Sequence, residues 1–269
     1  MFKTAGKVKR LNDIDSVDLE YIANKMEPKN FTPINDYSTH LKALSFKLDI
    51  KCKNQKQKKF FNNLKDLEKK INICDSPAGV GKSLLALTAG LYHLKNGNCS
   101  KVIVIVPTVE ASEDAKIGLL PGGISEKIYP YTLCTRSTIE KILKLSGNVA
   151  YKEIANQLIN GGFIEFELLS YARGRNFDDA FIILDEAENL SEKEALLLMS
   201  RLGDGNSKIA IIGDRLQTDR KSLKKTSGLI VAIDRLKNLE EVTIDEFSTE
   251  DIVRNPFLTK LLNAWNDTE

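Results

Sequence analysis

Cysteine and histidine are scarce in this 269-residue chain: Cys52, Cys74, Cys99 and Cys134, with His40 and His93. The cysteines lie far apart with no C-x-x-C pair, so no structural zinc site is expected and all four thiols are read as reduced. A dominant charge sign is also missing. The 39 Lys and Arg residues against 37 Asp and Glu leave a formal net charge of +2, so any surface for nucleic acid or membrane has to be a local patch. Long hydrophobic runs are absent too. Stretches such as Val102 to Val106 are far too short to span a bilayer, and the basic residues of the N-terminus have no apolar segment behind them. A cytoplasmic protein without a membrane-spanning segment is expected. No internal repeat or low-complexity tract occurs, and the length suits one large or two small domains.

What is present is organised around Ser76-Pro77-Ala78-Gly79-Val80-Gly81-Lys82-Ser83. The stretch follows a strand-like run, Ile71 to Cys74, and opens a helix-like run from Leu84 to Leu94, which is the setting a phosphate-binding loop requires. In such a loop glycines let successive backbone N–H groups turn toward a polyphosphate, the lysine bridges its terminal phosphates and the hydroxyl ligates Mg²⁺. ATP and Mg²⁺ are therefore expected, with residues 76–83 binding the nucleotide. Ser76 stands where the strict G-x-x-x-x-G-K-[ST] pattern has glycine.

A second anchor is Phe181-Ile182-Ile183-Leu184-Asp185-Glu186, a core strand ending in two acids. Asp185 would join Ser83 in the metal shell, and Glu186 would polarise the water that attacks the γ-phosphate. A third strand, Lys208 to Ile212, ends in Gly213-Asp214-Arg215-Leu216-Gln217-Thr218-Asp219, where Gln217 is placed either to sense the γ-phosphate or simply to make a turn. Lys101 to Val106 and a run near Phe163 to Leu169 add strands, separated by helical segments from about Ser125 to Asn160. The loop from Pro107 to Gly123, with Glu110, Glu113 and Asp114, leaves a strand end of the kind where parallel sheets place ligands. Ser191 and Glu194 have capping-box spacing, Gly228 to Leu236 reads as a helix, Val242 to Ile244 as a short strand, and Ser248 to Trp265 as a helix interrupted at Pro256.

The flanks are less defined. Residues 1–40 read as an arm or small helical appendage, and residues 41–269 as the main domain. Between Lys42 and Lys70, ten lysines against three acids give a formal local charge of +7. Asn54 is placed to N-cap a helix with Phe60, Leu64, Leu67 and Ile71 on one face. The lysines then form either a solvated outer face or a nucleic-acid patch.

Together with the phosphate loop, Val109-Glu110-Ala111, Leu119-Leu120-Pro121-Gly122, Tyr171-Ala172-Arg173-Gly174-Arg175, Asp178 to Asn189, Arg201-Leu202-Gly203, Gly213-Asp214 with Gln217 and Asp219, Ser227-Gly228-Leu229 and Asp251-Ile252-Val253-Arg254-Asn255-Pro256 closely resemble the PhoH-like family. The resemblance runs from about residue 50 to the C-terminus. It implies an α/β fold with a RecA-like P-loop NTPase core, a mainly parallel sheet flanked by helices, related to helicase cores. Asn54-Gln55 resembles the family's upstream Asn-Gln, which implies that Gln55 reads the adenine edge. Three departures occur: Ser76 for Gly, Glu188 for Gln and Asn255 for His. An acid at 188 lacks the amide donor that the family glutamine offers.

The expectation is an Mg²⁺-dependent ATPase acting on RNA or single-stranded DNA, with Lys82, Glu186, Gln217 and Arg254 as catalytic candidates. An ATP-driven protein-remodelling module is the alternative, and ATP turnover with and without nucleic acid separates them. A small-molecule kinase fits less well, because Glu186 beside Asp185 suits activation of water. No nuclease domain is expected. With length for a single core, a homo-oligomeric ring, a hexamer, is expected to complete each site, with Arg254 reaching into a neighbour's site and Arg173, Arg175 and Arg201 as alternates; the competing role for Arg254 is a structural salt bridge.

Overall fold

Six short runs, several rich in apolar β-branched residues, pair side by side to form one sheet. The computed structural model describes residues 45–106, 124–217 and 226–266. The strands are β1 (Ile71–Asp75), β2 (Lys101–Val106), β3 (Ile164–Leu168), β4 (Ala180–Leu184), β5 (Lys208–Gly213) and β6 (Val242–Glu246). Their order is β3-β2-β4-β5-β1-β6, and every neighbouring pair is parallel. The helices are α1 (Gln55–Lys65), α2 (Lys82–Lys95), α3 (Ile124–Leu145), α4 (Tyr151–Asn160), α5 (Glu192–Met199), α6 (Gly228–Leu236) and α7 (Pro256–Asn266).

Both faces of the sheet are covered, which is why β2, β4 and β5 are apolar almost throughout, whereas the edge strands β3 and β6 carry acids. Val102 and Val104 of β2 join one core with Phe60, Leu64, Leu85 and Ile139, whereas Ile103 and Ile105 join a second core with Leu198 and Leu229. Helices α1 to α4 therefore lie on one side and α5 and α6 on the other. Close approach of α2 to the sheet depends on Gly90, where a Cβ would come within 3.1 Å of Val102 and 3.2 Å of Phe181. Strand β5 sits between β1 and β4, so one strand separates the phosphate-loop strand from the strand that ends in Asp185 and Glu186. The expected α/β, RecA-like core with a parallel sheet is thus present.

Several local expectations hold. Asn54 caps α1 by accepting from the Gln57 N–H at 2.8 Å, and Ser191 with Glu194 forms a capping box at α5. Two differ. Helix α1 ends at Lys65 instead of running on to Ile71, because the buried Lys208 ammonium donates to the carbonyls of Asn63 and Asp66, and His93 Nε2 lies 2.8 Å from the carbonyl of Leu64. Burial pushes the Lys208 amine down to about 7. Pro256 does not interrupt a helix; it begins α7, where its missing N–H costs nothing and the Asn255 side chain accepts from the Phe257 N–H at 2.9 Å. Thr249–Asp251 forms a separate 3₁₀ turn.

Residues 1–40, the loop 107–123 with Glu110, Glu113 and Asp114, and Thr218 and Asp219 lie outside the described residues. Among the described residues no helix is long and apolar enough to cross a membrane.

Candidate active site

The phosphate loop leaves β1 after Asp75, and the Ser76 N–H still donates to the Gly213 carbonyl at 2.9 Å, which fixes the starting direction of the loop. Gly79 and Gly81 have φ of +91° and +89°, a left-handed region that a side chain would strain. Between them Val80 is fully buried in the core and pins the loop from below. Lys82 and Ser83 form the first turn of α2, where unpaired N–H groups favour an anion. Lys82 Nζ donates to the Ser76 carbonyl at 3.0 Å, across the loop it closes.

The acid strand meets this turn directly. Ser83 Oγ donates to Asp185 Oδ2 at 2.6 Å, so the two residues expected to share a metal ion are neighbours. A hydroxyl and a carboxylate are hard oxygen donors, the type Mg²⁺ takes alongside phosphates and water. Among the described residues no cluster of three or more His, Cys, Asp or Glu side chains is arranged to hold a metal by itself. Glu186 follows with φ of 58° and ψ of 39°, a left-handed conformation costing about 1–3 kcal/mol for a non-glycine residue. The kink separates adjacent acids: Asp185 faces Ser83, Glu186 is exposed, and Ala187 and Glu188 turn inward. Strain of this kind is typical of functional positions.

Glu188 links the end of β4 to the end of β5 through its side chain. Only 6 % exposed, it accepts from the Asp214 N–H at 3.1 Å. Burial raises its carboxyl to about 7. A protonated Glu188 has a donor, so the contrast with glutamine drawn from sequence narrows near neutral pH. Burial likewise raises Asp214. Gln217 lies in the turn after β5, its N–H donating to the Asp214 carbonyl at 3.0 Å; it is exposed and borders a cleft of about 630 Å³ together with Ser76 and Pro77.

Gln55 and Arg254 sit near the phosphate loop in different ways. Gln55 opens α1 and is exposed; the glutamine that touches the loop is Gln57, 4 % exposed, whose Nε2 donates to the Val80 carbonyl at 2.7 Å. Arg254 lies on its own chain's loop: the adjacent Val253 N–H donates to the Gly79 carbonyl at 3.2 Å, and a Cβ on Gly79 would be 3.5 Å from the Arg254 Cβ. Asp251, its suggested salt-bridge partner, pairs instead with Lys56 at 2.7 Å. The backbone and Cβ of Arg254 thus lie beside the phosphate loop of the same chain.

Sequence reasoning misses Arg215. Its guanidinium binds Asp75 and reaches Glu246 Oε1 at 2.6 Å, and its N–H donates to Asp75 Oδ1 at 3.0 Å, tying together the ends of β1, β5 and β6. An acid before the loop and an arginine after β5 are visible in the sequence, but only the strand order makes them neighbours. Tyr131 of α3 is also missed; burial, and then the charge of Glu186, raise its hydroxyl.

A family model described as "PhoH-like protein" matches residues 49–266. The PhoH-like protein of Bacillus subtilis (strain 168) is 37% identical over 190 residues, covering 71% of this chain and 56% of that protein. A PhoH-like protein of Synechocystis sp. is 33% identical over 220 residues, covering 82% and 63%, and Protein PhoH of Escherichia coli (strain K12) is 31% identical over 204 residues, covering 76% and 55%. The chain thus spans a little over half the length of the curated relatives it matches. Among solved structures, the large terminase of a thermophilic bacteriophage superposes with a TM-score of 0.45 at 10% identity, covering 78% of this chain and 48% of that one. The UvsW helicase of bacteriophage T4 gives 0.41 at 14%, covering 71% and 63%. With the family model spanning nearly all of the described core, and the motif residues gathered at one end of its sheet, this chain belongs to the PhoH-like family.

Proposed function

We propose that this chain is an Mg²⁺-dependent ATPase that couples hydrolysis to binding or remodelling of RNA or single-stranded nucleic acid. The observation that carries the ATPase reading is the 2.6 Å hydrogen bond from Ser83 to Asp185, next to Lys82 and Glu186. In this reading the backbone N–H groups of residues 79–83 cradle the phosphates, and Lys82 leaves the Ser76 carbonyl to meet them. Ser83 and Asp185 hold the ion, which when bound neutralises charge across the terminal phosphates. Glu186 orients the attacking water and takes its proton, and Gln217 reports from the end of β5.

The nucleic-acid part rests on the lysine-rich stretch and the likeness to helicase-type motifs. Several lysines serve the fold: Lys56 pairs with Asp251, Lys59 lies 3.8 Å from Asp245, and Lys53 Nζ donates to the Val253 carbonyl at 3.3 Å. Lys51 and Lys58 stay exposed and are the sites to test. A cytoplasmic ring of six copies is the proposed assembly. Arg173, exposed in the turn after β3, is the cation it would offer across an interface, since Arg254 lies on its own loop and Arg175 binds Glu167 at 2.7 Å.

The decisive experiment is ATP hydrolysis measured with and without RNA, single-stranded DNA and duplex, at two salt concentrations. Stimulation that weakens with salt supports the proposal, and neutralising Lys51 and Lys58 should then flatten the salt slope by about one counterion for each lysine that meets a phosphate. Turnover indifferent to every nucleic acid points instead to ATP-driven protein remodelling, and no turnover rejects the ATPase reading.

A further inference from the structure

The carbonyls of Gly79 and Val80 are bound from the side of the loop away from its N–H groups, by two segments distant in sequence. The Val80 carbonyl takes the Gln57 side-chain amide at 2.7 Å, and the Gly79 carbonyl takes the Val253 N–H at 3.2 Å. Lys53 joins the two holders. Its backbone N–H donates to Gln57 Oε1 at 2.6 Å, while its ammonium donates to the Val253 carbonyl at 3.3 Å. The result is a closed hydrogen-bond circuit running Lys53, Gln57, Val80, Gly79, Val253 and back to Lys53.

Each peptide carbonyl and the N–H that follows it point in nearly opposite directions across a planar unit. Holding the carbonyls of Gly79 and Val80 outward therefore turns the N–H groups of Val80 and Gly81 the other way, toward the interior of the loop. The two flanking glycines have left-handed φ and lack a Cβ to fix their rotation. Burial of the Val80 side chain pins the loop from below, and the two external bonds fix how the flanking peptides are turned. Gln57 is also close to Gly81, where an added Cβ would lie 3.3 Å from its Nε2. The chemistry at position 57 is specific: one arm must donate to a carbonyl and the other must accept from an N–H. A primary amide does both at once, whereas an ionised carboxylate cannot donate and a thioether cannot donate and accepts only weakly.

We propose that Gln57 is a positioning residue for nucleotide phosphates, holding the loop's N–H groups in their binding orientation before the ligand arrives. The inference rests on residues 76–83 being a phosphate loop. It assigns to Gln57 a role distinct from reading the base, since its amide is directed at the loop's own backbone.

The test uses the full chain and a fluorescent MgADP analogue, with folding checked by circular dichroism. Gln57→Met keeps the volume and removes both hydrogen bonds. It should bind MgADP about tenfold more weakly, the scale of one buried hydrogen bond with its orphaned partner. The Michaelis constant for ATP should rise while kcat changes little, as expected when an interaction shared by ground and transition states is removed. Gln57→Glu supplies a readout that a merely structural role would not move. When ionised it sets a carboxylate against the Val80 carbonyl; when protonated it restores a donor and an acceptor. Its affinity, taken as a ratio to wild type, should recover as pH falls from about 8 to 5.5, the range into which burial lifts such a carboxyl. The charged groups around the circuit, Lys53, Lys56, Asp251 and, within the loop, Lys82, are common to both proteins, so their own titration cancels in that ratio, while the lysines oppose burial in setting where the introduced carboxyl titrates.

Lys53→Met provides a variant at an exposed position, opening the circuit at Val253 while leaving Gln57 in place, and should weaken MgADP about two- to fivefold. Wild-type affinity in the folded Gln57→Met and Lys53→Met proteins, or no pH-dependent recovery in Gln57→Glu, overturns the inference. A wild-type protein that binds MgADP no better than Lys82→Ala removes the phosphate-loop reading itself, a separate result.

Discussion

Ser83 Oγ and Asp185 Oδ2, 102 residues apart in the chain, meet at 2.6 Å. This bond joins the first turn of α2 to the tip of β4 and brings together the two oxygens best suited to Mg²⁺. Ser83→Ala and Asp185→Asn should both weaken the Mg²⁺ dependence of nucleotide binding, and Lys82→Ala should abolish tight binding while the protein stays folded. Calorimetric titration with MgATP checks this; undiminished affinity in Lys82→Ala rejects the phosphate loop.

Glu186→Gln should retain MgATP but hydrolyse it ~10²–10⁴-fold more slowly, the usual contribution of a group that activates water. Single-turnover phosphate release separates binding from hydrolysis. Glu186 also sits at a left-handed φ, so Glu186→Gly should relieve strain and raise the melting temperature even as turnover is lost.

Glu188 makes stability depend on pH. Its folded carboxyl titrates near 7 against an ordinary value of 4.5, so the folded state holds a proton that the unfolded chain releases. The stability this contributes is fully present below about pH 4.5 and is lost as pH rises through about 7. Glu188→Gln has no such proton. Its melting temperature should gain on wild type across that window, with little further change above it. Parallel curves from pH 4.5 to 8 contradict the assignment.

Arg254 gives a prediction about assembly. Because it lies against its own Gly79, Arg254→Ala should slow hydrolysis, by up to ~10³-fold for a transition-state cation, and should not be rescued by mixing with Lys82→Ala subunits. Regained activity in mixed oligomers indicates an arginine shared between copies.

Most of the catalytic vocabulary is legible in the sequence because it is local. The phosphate loop, the Asp185-Glu186 pair and the Ser191 capping box each show their chemistry within a few consecutive residues. What stays hidden depends on strands that meet only in the fold. Arg215 finds Asp75 and Glu246 because β5 and β6 flank β1. Gln57 faces the loop because the Asn54 cap sets the rotation of α1, which motif likeness does not show. Periodicity overextends α1 because Leu67 and Ile71 continue its spacing, whereas Lys208, far along the chain, caps its end. Pro256 misleads for a related reason: proline breaks a helix interior but suits a first turn, and only the non-helical residues before it tell which applies.

The circuit around Gly79 and Val80 also bears on biosynthesis. Lys53 and Val253 are separated by 200 residues, and both hold the loop. A nascent chain emerging from the ribosome has Ser76 to Ser83, Asp185, Glu186 and Gln217 in hand well before Val253 appears. Until then the loop has only its upstream hold. The hold on the loop is therefore completed late in translation, and a chain truncated between β6 and Val253 carries every catalytic side chain proposed for hydrolysis except Arg254 while lacking the bond to the Gly79 carbonyl.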